Sequence, residues 1–375
     1  MRKLKLMTIV GTRPEIIRIS EVIKKCDKYF EHILVHTGQN WDYTLNDIFF
    51  KELELRKPDY FLGVAKESLG ETIGNIISLT YDLMEKEKPD ALLILGDTNS
   101  CLSAIAAKRL KIPIFHMEAG NRCFDINVPE EVNRKIVDVT SDVNLAYTEH
   151  ARRYLLSEGI RKEYVFVTGS PLPEVFNKYM DKIKESNVLE TLGLEKKKFI
   201  LVSAHREENI DDDSNFEGLM NALNNIAENY NMPIIYSTHP RSFKKIKEKN
   251  VSFNKNIKSL KPFGFYDYNK LQKEAFCVLS DSGSLAEESN IMNFPAVSIR
   301  TSTERPEVID KGSMILGGIT FDNIVRSINI VTDESNIRSK NVVAIDYKDI
   351  NVSQKVVNII ASYTEIINKF IWRKS

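Results

Sequence analysis

The sequence predicts two successive α/β domains, each built on a parallel sheet with helices on both faces. Three observations support this fold class. The chain has 375 residues, which suits two domains of roughly 180 residues each. Short apolar runs alternate with segments of helix length, and the runs are continuous, as in strands that are covered on both faces. The alternation then restarts after a polar stretch at residues 174–197.

The first half contains apolar runs of strand length, rich in β-branched or aliphatic residues. They are KLMTIVG (5–11), HILVHTG (32–38), ALLILGD (91–97), PIFHMEAG (113–120), VNLAYT (143–148) and VFVTGS (165–170). The segments between them, such as PEIIRISEVIKKC and NSCLSAIAAKRL, carry apolar residues at helical spacing. Strand and helix therefore alternate as in a doubly wound sheet.

Further apolar runs predict a second sheet of the same kind. They are FILVSAH (199–205), PIIYSTH (233–239), NIKSLKP (256–262), FCVLSDSG (276–283) and PAVSIR (295–300). The last segment, VSQKVVNIIASYTEIINKFIWRK, has the pattern of a long amphipathic helix that packs across a domain. We therefore predict a first domain at residues 1–172 and a second at residues 173–353.

Composition argues against several classes of protein. Lysine plus arginine equals aspartate plus glutamate, at 52 each, so no overall charge favours nucleic acid or an anionic membrane. The four cysteines form no CxxC pair, which argues against a disulfide framework or a thiolate zinc site. The N-terminal apolar run is too short for a signal peptide, and no run approaches a membrane span. We expect a soluble cytoplasmic protein without a metal.

Ligands of open α/β sheets bind beyond the carboxyl ends of the strands, so the residues that follow each strand are candidates for a site. In the first half, Arg13 follows a strand at a helix N-terminus, where anions bind. Asp97 and Glu118 follow two consecutive strands, and Glu130 and Glu131 start a helix. Acids in a first helical turn often only complement the helix dipole, whereas converging carboxylates permit acid–base chemistry.

The second half offers different groups at its strand ends. His205 and Arg206 follow its first strand, and the loop Ser282-Gly283-Ser284 leads into a helix, an arrangement suited to a diphosphate. A structural role is an equally common interpretation of a histidine such as His205. Neither GxGxxG nor a Walker loop is present, so the usual NAD signature is absent. The pattern favours a nucleotide-sugar enzyme and leaves its reaction open.

Seven motifs occur in the order found in the non-hydrolysing UDP-N-acetylglucosamine 2-epimerases, and the resemblance runs essentially end to end. They are GTRPE, GDTNS, HMEAGNR, PEEVNR, SAHREE, DSGS and TERPE. The resemblance implies a GT-B fold, with two Rossmann-like parallel-sheet domains facing a deep cleft, a final helix (354–375) that crosses back to the first domain, and a homodimer. It also implies inversion at C2 of a UDP-linked 2-acetamido sugar without a cofactor, by elimination and re-addition of UDP through a 2-acetamidoglycal.

The resemblance further implies which residues form the site. The catalytic acids of the family match Asp97, Glu118 and Glu130, and its active-site histidine matches His205. Its nucleotide and diphosphate contacts match Arg13, Ser282, Gly283, Ser284, Glu288 and Arg305. Its uracil contacts match the Tyr268 ring and the Phe263 backbone. Family members commonly carry lysine where this chain has Arg18, which keeps the charge and changes its geometry.

Three segments resemble one branch of that family more closely: GNRCFDINVPEEVNRKIVD, HTGQNWDY and SEGIRKEYVFVTGSP. That branch converts UDP-2-acetamido-2,6-dideoxy-L-talose to UDP-N-acetyl-L-fucosamine for capsule or O-antigen synthesis. A sister branch makes UDP-N-acetyl-L-quinovosamine from the L-rhamno epimer. The sequence also leaves open a UDP-N-acetylglucosamine 2-epimerase, a hydrolysing relative and a GT-B glycosyltransferase. The set of three acids argues against a non-catalytic sugar-nucleotide sensor, which has no need of them.

Overall fold

The computed structural model describes residues 2–39, 44–333 and 342–374. The chain divides into two compact units. Unit 1 comprises Met1–Lys178 and Asp346–Ser375, and unit 2 comprises Tyr179–Ile345. Each unit contains one parallel sheet with helices packed against it. The α/β fold class predicted from the apolar runs is therefore confirmed.

The sheet of unit 1 has seven parallel strands among the described residues, in the order β3-β2-β1-β4-β5-β6-β7. The strands are β1 (Lys5–Val10), β2 (Glu31–His36), β3 (Tyr60–Phe61), β4 (Ala91–Leu95), β5 (Ile114–Met117), β6 (Val143–Ala146) and β7 (Val165–Val167). The helices are α1 (Arg13–Tyr29), α2 (Thr44–Glu52), α3 (Leu69–Glu87), α4 (Ser103–Arg109), α5 (Pro129–Thr140), α6 (Glu149–Ser157) and α7 (Leu172–Glu185).

The sheet of unit 2 has six parallel strands in the described part of the chain, in the order β10-β9-β8-β11-β12-β13. The strands are β8 (Ile200–Ser203), β9 (Ile234–Ser237), β10 (Ile257–Leu260), β11 (Cys277–Ser280), β12 (Ala296–Ser298) and β13 (Ile315–Leu316). The helices that follow α7 are α8 (Val188–Leu192), α9 (Glu207–Ile210), α10 (Asp213–Tyr230), α11 (Pro240–Glu248), α12 (Phe265–Glu274), α13 (Ser284–Met292), α14 (Pro306–Asp310), α15 (Phe321–Thr332) and α16 (Val352–Phe370).

Every apolar run singled out in the sequence contains a strand of the structure. The strands are buried because their apolar residues face helices on both sides; in unit 1, Met7, Ile9 and Leu92 belong to one such core. The short edge strands β3 and β13 were not predicted, since two residues give no periodic pattern. The predicted C-terminal helix is α16, which returns to unit 1 and packs against α1. Among the described helices, none is both long and apolar enough to cross a membrane.

The strand order of each unit creates a topological switch point. In unit 1, β2 pairs with one edge of β1 and β4 pairs with the other, so the chain changes direction across the sheet at β1. In unit 2 the same reversal occurs between β8 and β11. The loops that leave the two central strands separate at such a point and leave room for a ligand. The residues after β1, β4, β8 and β11 are therefore the first candidates for a functional site.

Candidate functional site

At the switch point of unit 1, Glu15 joins the loops that follow β1 and β4. Its carboxyl Oε2 accepts a hydrogen bond from the Gly11 N–H at 2.5 Å, and its Oε1 contacts the hydroxyls of Thr98 and Ser100. Burial raises the pKa of Glu15 to about 7. Sequence reasoning did not select this residue, although Thr12 and Glu15 have the spacing of a capping box at the start of α1.

We expect Glu15→Gln to stabilise the protein above neutral pH. The pKa of Glu15 is raised from 4.5 to about 7 on folding, so the cost of the buried charge appears as the pH rises through this window. Glutamine resembles the neutral acid: its oxygen can accept from Gly11 and its amide can donate to Thr98. We expect a gain on the order of 1–3 kcal/mol at about pH 8 and little change at about pH 4.5, measured by urea unfolding.

Glu71→Gln is the matched control, because Glu71 holds the corresponding capping position of α3 and is exposed. Its effect on the free energy of unfolding should be the same at both pH values. A gain from Glu15→Gln that does not depend on pH would show that the Glu15 carboxyl ionises normally in the folded chain.

Asp97 follows β4 and is held by Arg134 of α5. The Nε and Nη2 atoms of Arg134 lie 2.7 and 2.6 Å from Asp97 Oδ2, and the Asn133 side chain donates to the Asp97 carbonyl at 2.9 Å. Arg134 is buried, whereas a fifth of the Asp97 side chain is exposed. The arrangement fixes a partly accessible carboxylate at the end of a central strand.

Glu118 follows β5, the neighbour of β4, and has a left-handed backbone with φ of +66°. Its Oε2 accepts from Arg18 Nη1 at 2.5 Å, and its Oε1 accepts from Asn121 Nδ2 at 3.1 Å. The Glu118 and Arg18 side chains are 7% and 10% exposed. A non-glycine residue in this region of the Ramachandran plot is strained, and such strain clusters at functional sites. The structure therefore positions Glu118 against a buried cation.

The two acids at the start of α5 differ in their surroundings. Glu131 is buried, and its Oε2 accepts from the Cys123 N–H at 3.1 Å and from Arg134 Nη1 at 2.8 Å. Burial raises the pKa of Glu131, but these hydrogen bonds outweigh burial and lower it overall. Glu130 is half-buried in the same helical turn. Glu131 thus anchors the loop before α5, and Glu130 is the more accessible acid.

The predicted anion contact of unit 1 also lies at this end of the sheet. Arg13 is the first residue of α1, and its guanidinium carbon lies 5.3 Å from the centre of the Phe49 ring. Arg18 is one turn further along the same helix. Unit 1 therefore collects Arg13, Arg18, Asp97 and Glu118 at the carboxyl ends of β1, β4 and β5.

At the switch point of unit 2, the fully buried Asp281 organises the loop that follows β8. Its carboxylate accepts from the backbone N–H groups of His205 and Arg206 at 2.9 and 3.0 Å, and from Asn209 Nδ2 at 3.0 Å. His205 Nδ1 lies 3.3 Å from Asp281 Oδ1, and 38% of the His205 side chain is exposed. Asp281 therefore fixes the backbone and ring of a partly exposed histidine.

The predicted phosphate loop lies beside that histidine. Ser282 and Gly283 precede α13 and Ser284 begins it, and the hydroxyls of the two serines are 2.9 Å apart. Arg206 donates from Nε to the Asp281 carbonyl at 3.2 Å, and its Nη2 would lie 3.6 Å from a Cβ placed on Gly283. Sequence reasoning placed Arg206 at a strand end without choosing it as a site residue. The Arg206 guanidinium therefore places a positive charge beside a helix N-terminus, where an anion can bind.

Two further predicted residues of unit 2, Arg305 and Glu288, have protein partners. Arg305 is buried and donates from Nε and Nη2 to the fully buried Glu287 at 3.2 and 3.1 Å. Glu288 accepts from Gln272 Nε2 at 2.5 Å. Phe263 lies just before α12 and Tyr268 lies in its first turns, and both are half-buried.

Within the described residues, no three His, Cys, Asp or Glu side chains are grouped so as to hold a metal ion. Carboxylates with arginine partners dominate the site of unit 1. A histidine, an arginine and a serine-glycine loop dominate that of unit 2. Acids of this kind can exchange protons with a substrate, and the second set is suited to an anionic group.

Comparison with known proteins identifies the family. A family model described as UDP-N-acetylglucosamine 2-epimerase matches residues 24–361. The chain belongs to this family. The family predicted from the seven motifs is confirmed, and the protein is a UDP-sugar 2-epimerase, an isomerase. Three relatives illustrate how closely this epimerase resembles known members.

The structure of a UDP-N-acetylglucosamine 2-epimerase from Rickettsia bellii is 48% identical, covers 100% of both chains and superposes with a TM-score of 0.92. That of the Methanocaldococcus jannaschii UDP-GlcNAc 2-epimerase in complex with UDP-GlcNAc and UDP is 33% identical. It covers 96% of this chain and 99% of the other, with a TM-score of 0.89. A UDP-2,3-diacetamido-2,3-dideoxy-D-glucuronate 2-epimerase of Pseudomonas aeruginosa is 33% identical over 330 residues, 86% of this epimerase and 91% of the relative.

Proposed function

We propose that this epimerase inverts C2 of a UDP-linked 2-acetamido sugar by eliminating UDP and adding it back, without a cofactor. The observation that carries the proposal is the placement of Asp97 and Glu118. Both follow neighbouring strands of unit 1, and each contacts a buried arginine. Glu130, half-buried at the start of α5, is the third acid of the proposed set.

The chemistry requires such a set of acids. The C2–H bond has no neighbouring carbonyl, so simple removal and return of a proton is unfavourable. In the elimination, a carboxylate takes H2, its electron pair forms the C1=C2 bond, and the C1–O bond breaks to release UDP. In the return step, an acid protonates C2 on the opposite face and a diphosphate oxygen attacks C1. Proton donors and acceptors are therefore needed on both faces of C2.

We assign the nucleotide to unit 2, the domain predicted at residues 173–353, and the sugar to the first domain. Ser282, Gly283 and Ser284 lead into α13, where N–H groups and the helix dipole favour a diphosphate. The proposed contacts to UDP in unit 2 are His205, Ser282, Gly283, Ser284, Glu288 and Arg305, with Tyr268 and Phe263 at the uracil. In unit 1, Arg13 and Arg18 are the proposed substrate contacts. His205, held by Asp281 and partly exposed, can stabilise the leaving diphosphate as its charge develops.

We further propose that the sugar is UDP-2-acetamido-2,6-dideoxy-L-talose and the product UDP-N-acetyl-L-fucosamine. Support comes from the three segments that resemble this branch, although residues 40–43 of HTGQNWDY lie outside the described residues. The diacetamido-glucuronate relative from Pseudomonas aeruginosa indicates that family members act on different 2-acetamido sugars. The Methanocaldococcus jannaschii complex favours UDP-GlcNAc as the second candidate.

Incubation with each UDP-sugar in heavy water, without acceptor or NAD, tests the proposal. We expect NMR to show deuterium entering C2 of an interconverting pair, fastest with the L-6-deoxy sugars. Faster conversion of UDP-GlcNAc would overturn the finer assignment. Free sugar with stoichiometric UDP would indicate a hydrolase, and inert UDP-sugars throughout would overturn the proposed reaction.

We propose that the epimerase is a homodimer whose subunits meet through α5. Val132, Ile136 and Val139 are 49%, 39% and 68% exposed at helical spacing along one face of α5. We expect light scattering to give twice the 43.0-kDa chain mass, and Val139→Glu to give monomers. Ile330→Glu, at an exposed position of α15, is the control and should remain dimeric. A monomeric wild type, or a dimeric Val139→Glu variant, would contradict this surface.

A further inference from the structure

His116 lies in β5, two residues before Glu118, and its ring is almost completely buried. Its Nε2 atom is 2.8 Å from the Gly96 carbonyl oxygen, and its Nδ1 atom is 2.9 Å from Asp138 Oδ1. A carbonyl oxygen can only accept a hydrogen bond, so Nε2 must carry a hydrogen.

The surroundings of Asp138 determine the state of the other ring nitrogen. Arg122 Nη1 lies 2.7 Å from Asp138 Oδ2, and the Gly120 N–H lies 3.1 and 3.3 Å from the two carboxyl oxygens. The ion pair with the buried Arg122 guanidinium and the hydrogen bond from the Gly120 N–H both favour a carboxylate at Asp138. Its contact with His116 therefore requires a hydrogen on Nδ1 as well.

The charges around the ring balance. His116 with two ring hydrogens and Arg122 are cations, and Asp138 and Glu158 are anions; Arg122 donates from Nε to Glu158 at 2.9 Å. From β6, Asn144 Nδ2 donates to the Asp138 carbonyl at 3.0 Å and adds no charge. His116, Arg122 and Asp138 are buried, and Glu158 is partly exposed. Matched charges and satisfied hydrogen bonds in such a network fix its geometry, since the removal of a buried member leaves an uncompensated charge.

We propose that His116, protonated on both ring nitrogens, is a positioning residue for the three catalytic acids, an inference that rests on the proposed function. Its Nε2–H holds the Gly96 carbonyl immediately before Asp97. Its Nδ1–H holds Asp138, which in turn binds the Gly120 N–H just after Glu118. Asp138 belongs to α5, whose first turn contains Glu130.

This arrangement explains how the strained backbone at Glu118 is maintained. Glu118 has a left-handed backbone. It lies between the strand that contains His116 and Gly120, whose N–H is bound by Asp138. Strained residues persist only where the surrounding contacts overdetermine them. With the contacts of His116 removed, Glu118 and Asp97 would lose their fixed separation, and proton transfer at C2 would slow more than binding of UDP.

The direct test is NMR of the folded protein labelled with ¹⁵N-histidine. The chain has six histidines, and the His116 signals are identified by their loss in His116→Gln. We expect both ring nitrogens of His116 to show attached hydrogens, because each faces a hydrogen-bond acceptor. One ring nitrogen without a hydrogen would overturn the proposal. This result does not depend on enzymatic activity, so it separates failure of this inference from failure of the proposed function.

Kinetics test the consequence for the acids. We expect His116→Gln to lower kcat for C2 inversion at least about tenfold, with KM changed by less than about twofold. Asp138→Asn should have a similar effect, and the double variant should lose less than the product of the two effects. A wild-type kcat, or a loss confined to KM, would overturn the positioning role.

His32→Gln is the matched control. His32 is a second histidine of the same sheet with a buried ring, and its Nδ1 lies 2.6 Å from Asp27, away from the acids. We expect its kcat to remain within about twofold of the wild type. An equal loss of kcat in His32→Gln would show a general effect of disturbing the sheet and would overturn the specific role of His116.

Discussion

Replacing Asp97 by asparagine is expected to lower kcat for C2 inversion at least about a hundredfold, the usual scale for loss of acid–base assistance. Asparagine has the same shape, and its amide oxygen can still accept a hydrogen bond from Arg134. It cannot take or give a proton at C2. Since Arg134 also contacts Glu131 at 2.8 Å, its position should be kept, and KM should change little. The measurement is the initial rate of inversion by NMR at saturating UDP-sugar.

Asp125→Asn serves as the control, because Asp125 lies in the loop before α5 and its carboxylate accepts from the N–H and side chain of Asn127 in that same loop. Its kcat should stay close to that of the wild type. Exchange of H2 in heavy water adds a second readout for Asp97→Asn. Retained exchange without inversion would assign Asp97 to one face of C2, and a near-normal kcat would remove it from the mechanism.

The fold could be predicted from sequence because buried parallel strands have a simple pattern. A run such as ALLIL at Ala91–Leu95 is apolar throughout, since helices cover both faces of the sheet. Once the strands are known, topology brings their carboxyl ends to one edge, and Asp97 and Glu118 then follow neighbouring strands. Strands of two residues, such as β3, lack this pattern and depend on pairing with a neighbour.

The partners of the site residues could not be predicted in this way. Arg134 is 37 residues from Asp97, and Asp138 is 22 residues from His116, so both contacts depend on how α5 packs against the sheet. Glu130 and Glu131 are adjacent in the sequence, and only the contacts of Glu131 with Cys123 and Arg134 distinguish them. The identity of the sugar depends on the positions of its hydroxyl groups, which strand patterns do not encode.

Gly120→Ala is expected to destabilise the protein by about 2–4 kcal/mol, because a Cβ at this position has no space. Gly120 has a φ of +82°, which costs a residue with a Cβ about 1 kcal/mol by itself. The added carbon would lie 2.8 Å from Leu155 Cγ and 2.9 Å from the Ala151 carbonyl carbon, and closer still to the Ala151 carbonyl oxygen. Relief of this overlap requires α6 to move away from the loop, at a further cost of about 1–3 kcal/mol.

Gly159→Ala separates the two contributions. Gly159 has a φ of +86°, but a Cβ there would meet no atom within 4 Å, so only backbone strain should appear. We expect its loss of stability to be about 1 kcal/mol by urea unfolding, and that of Gly120→Ala to be at least twice as large. Equal losses would contradict a steric clash at Gly120. A larger loss in Gly120→Ala would show that α6 packs closely against Gly120. This packing, together with the hydrogen bond from the Gly120 N–H to Asp138, fixes the backbone that follows Glu118.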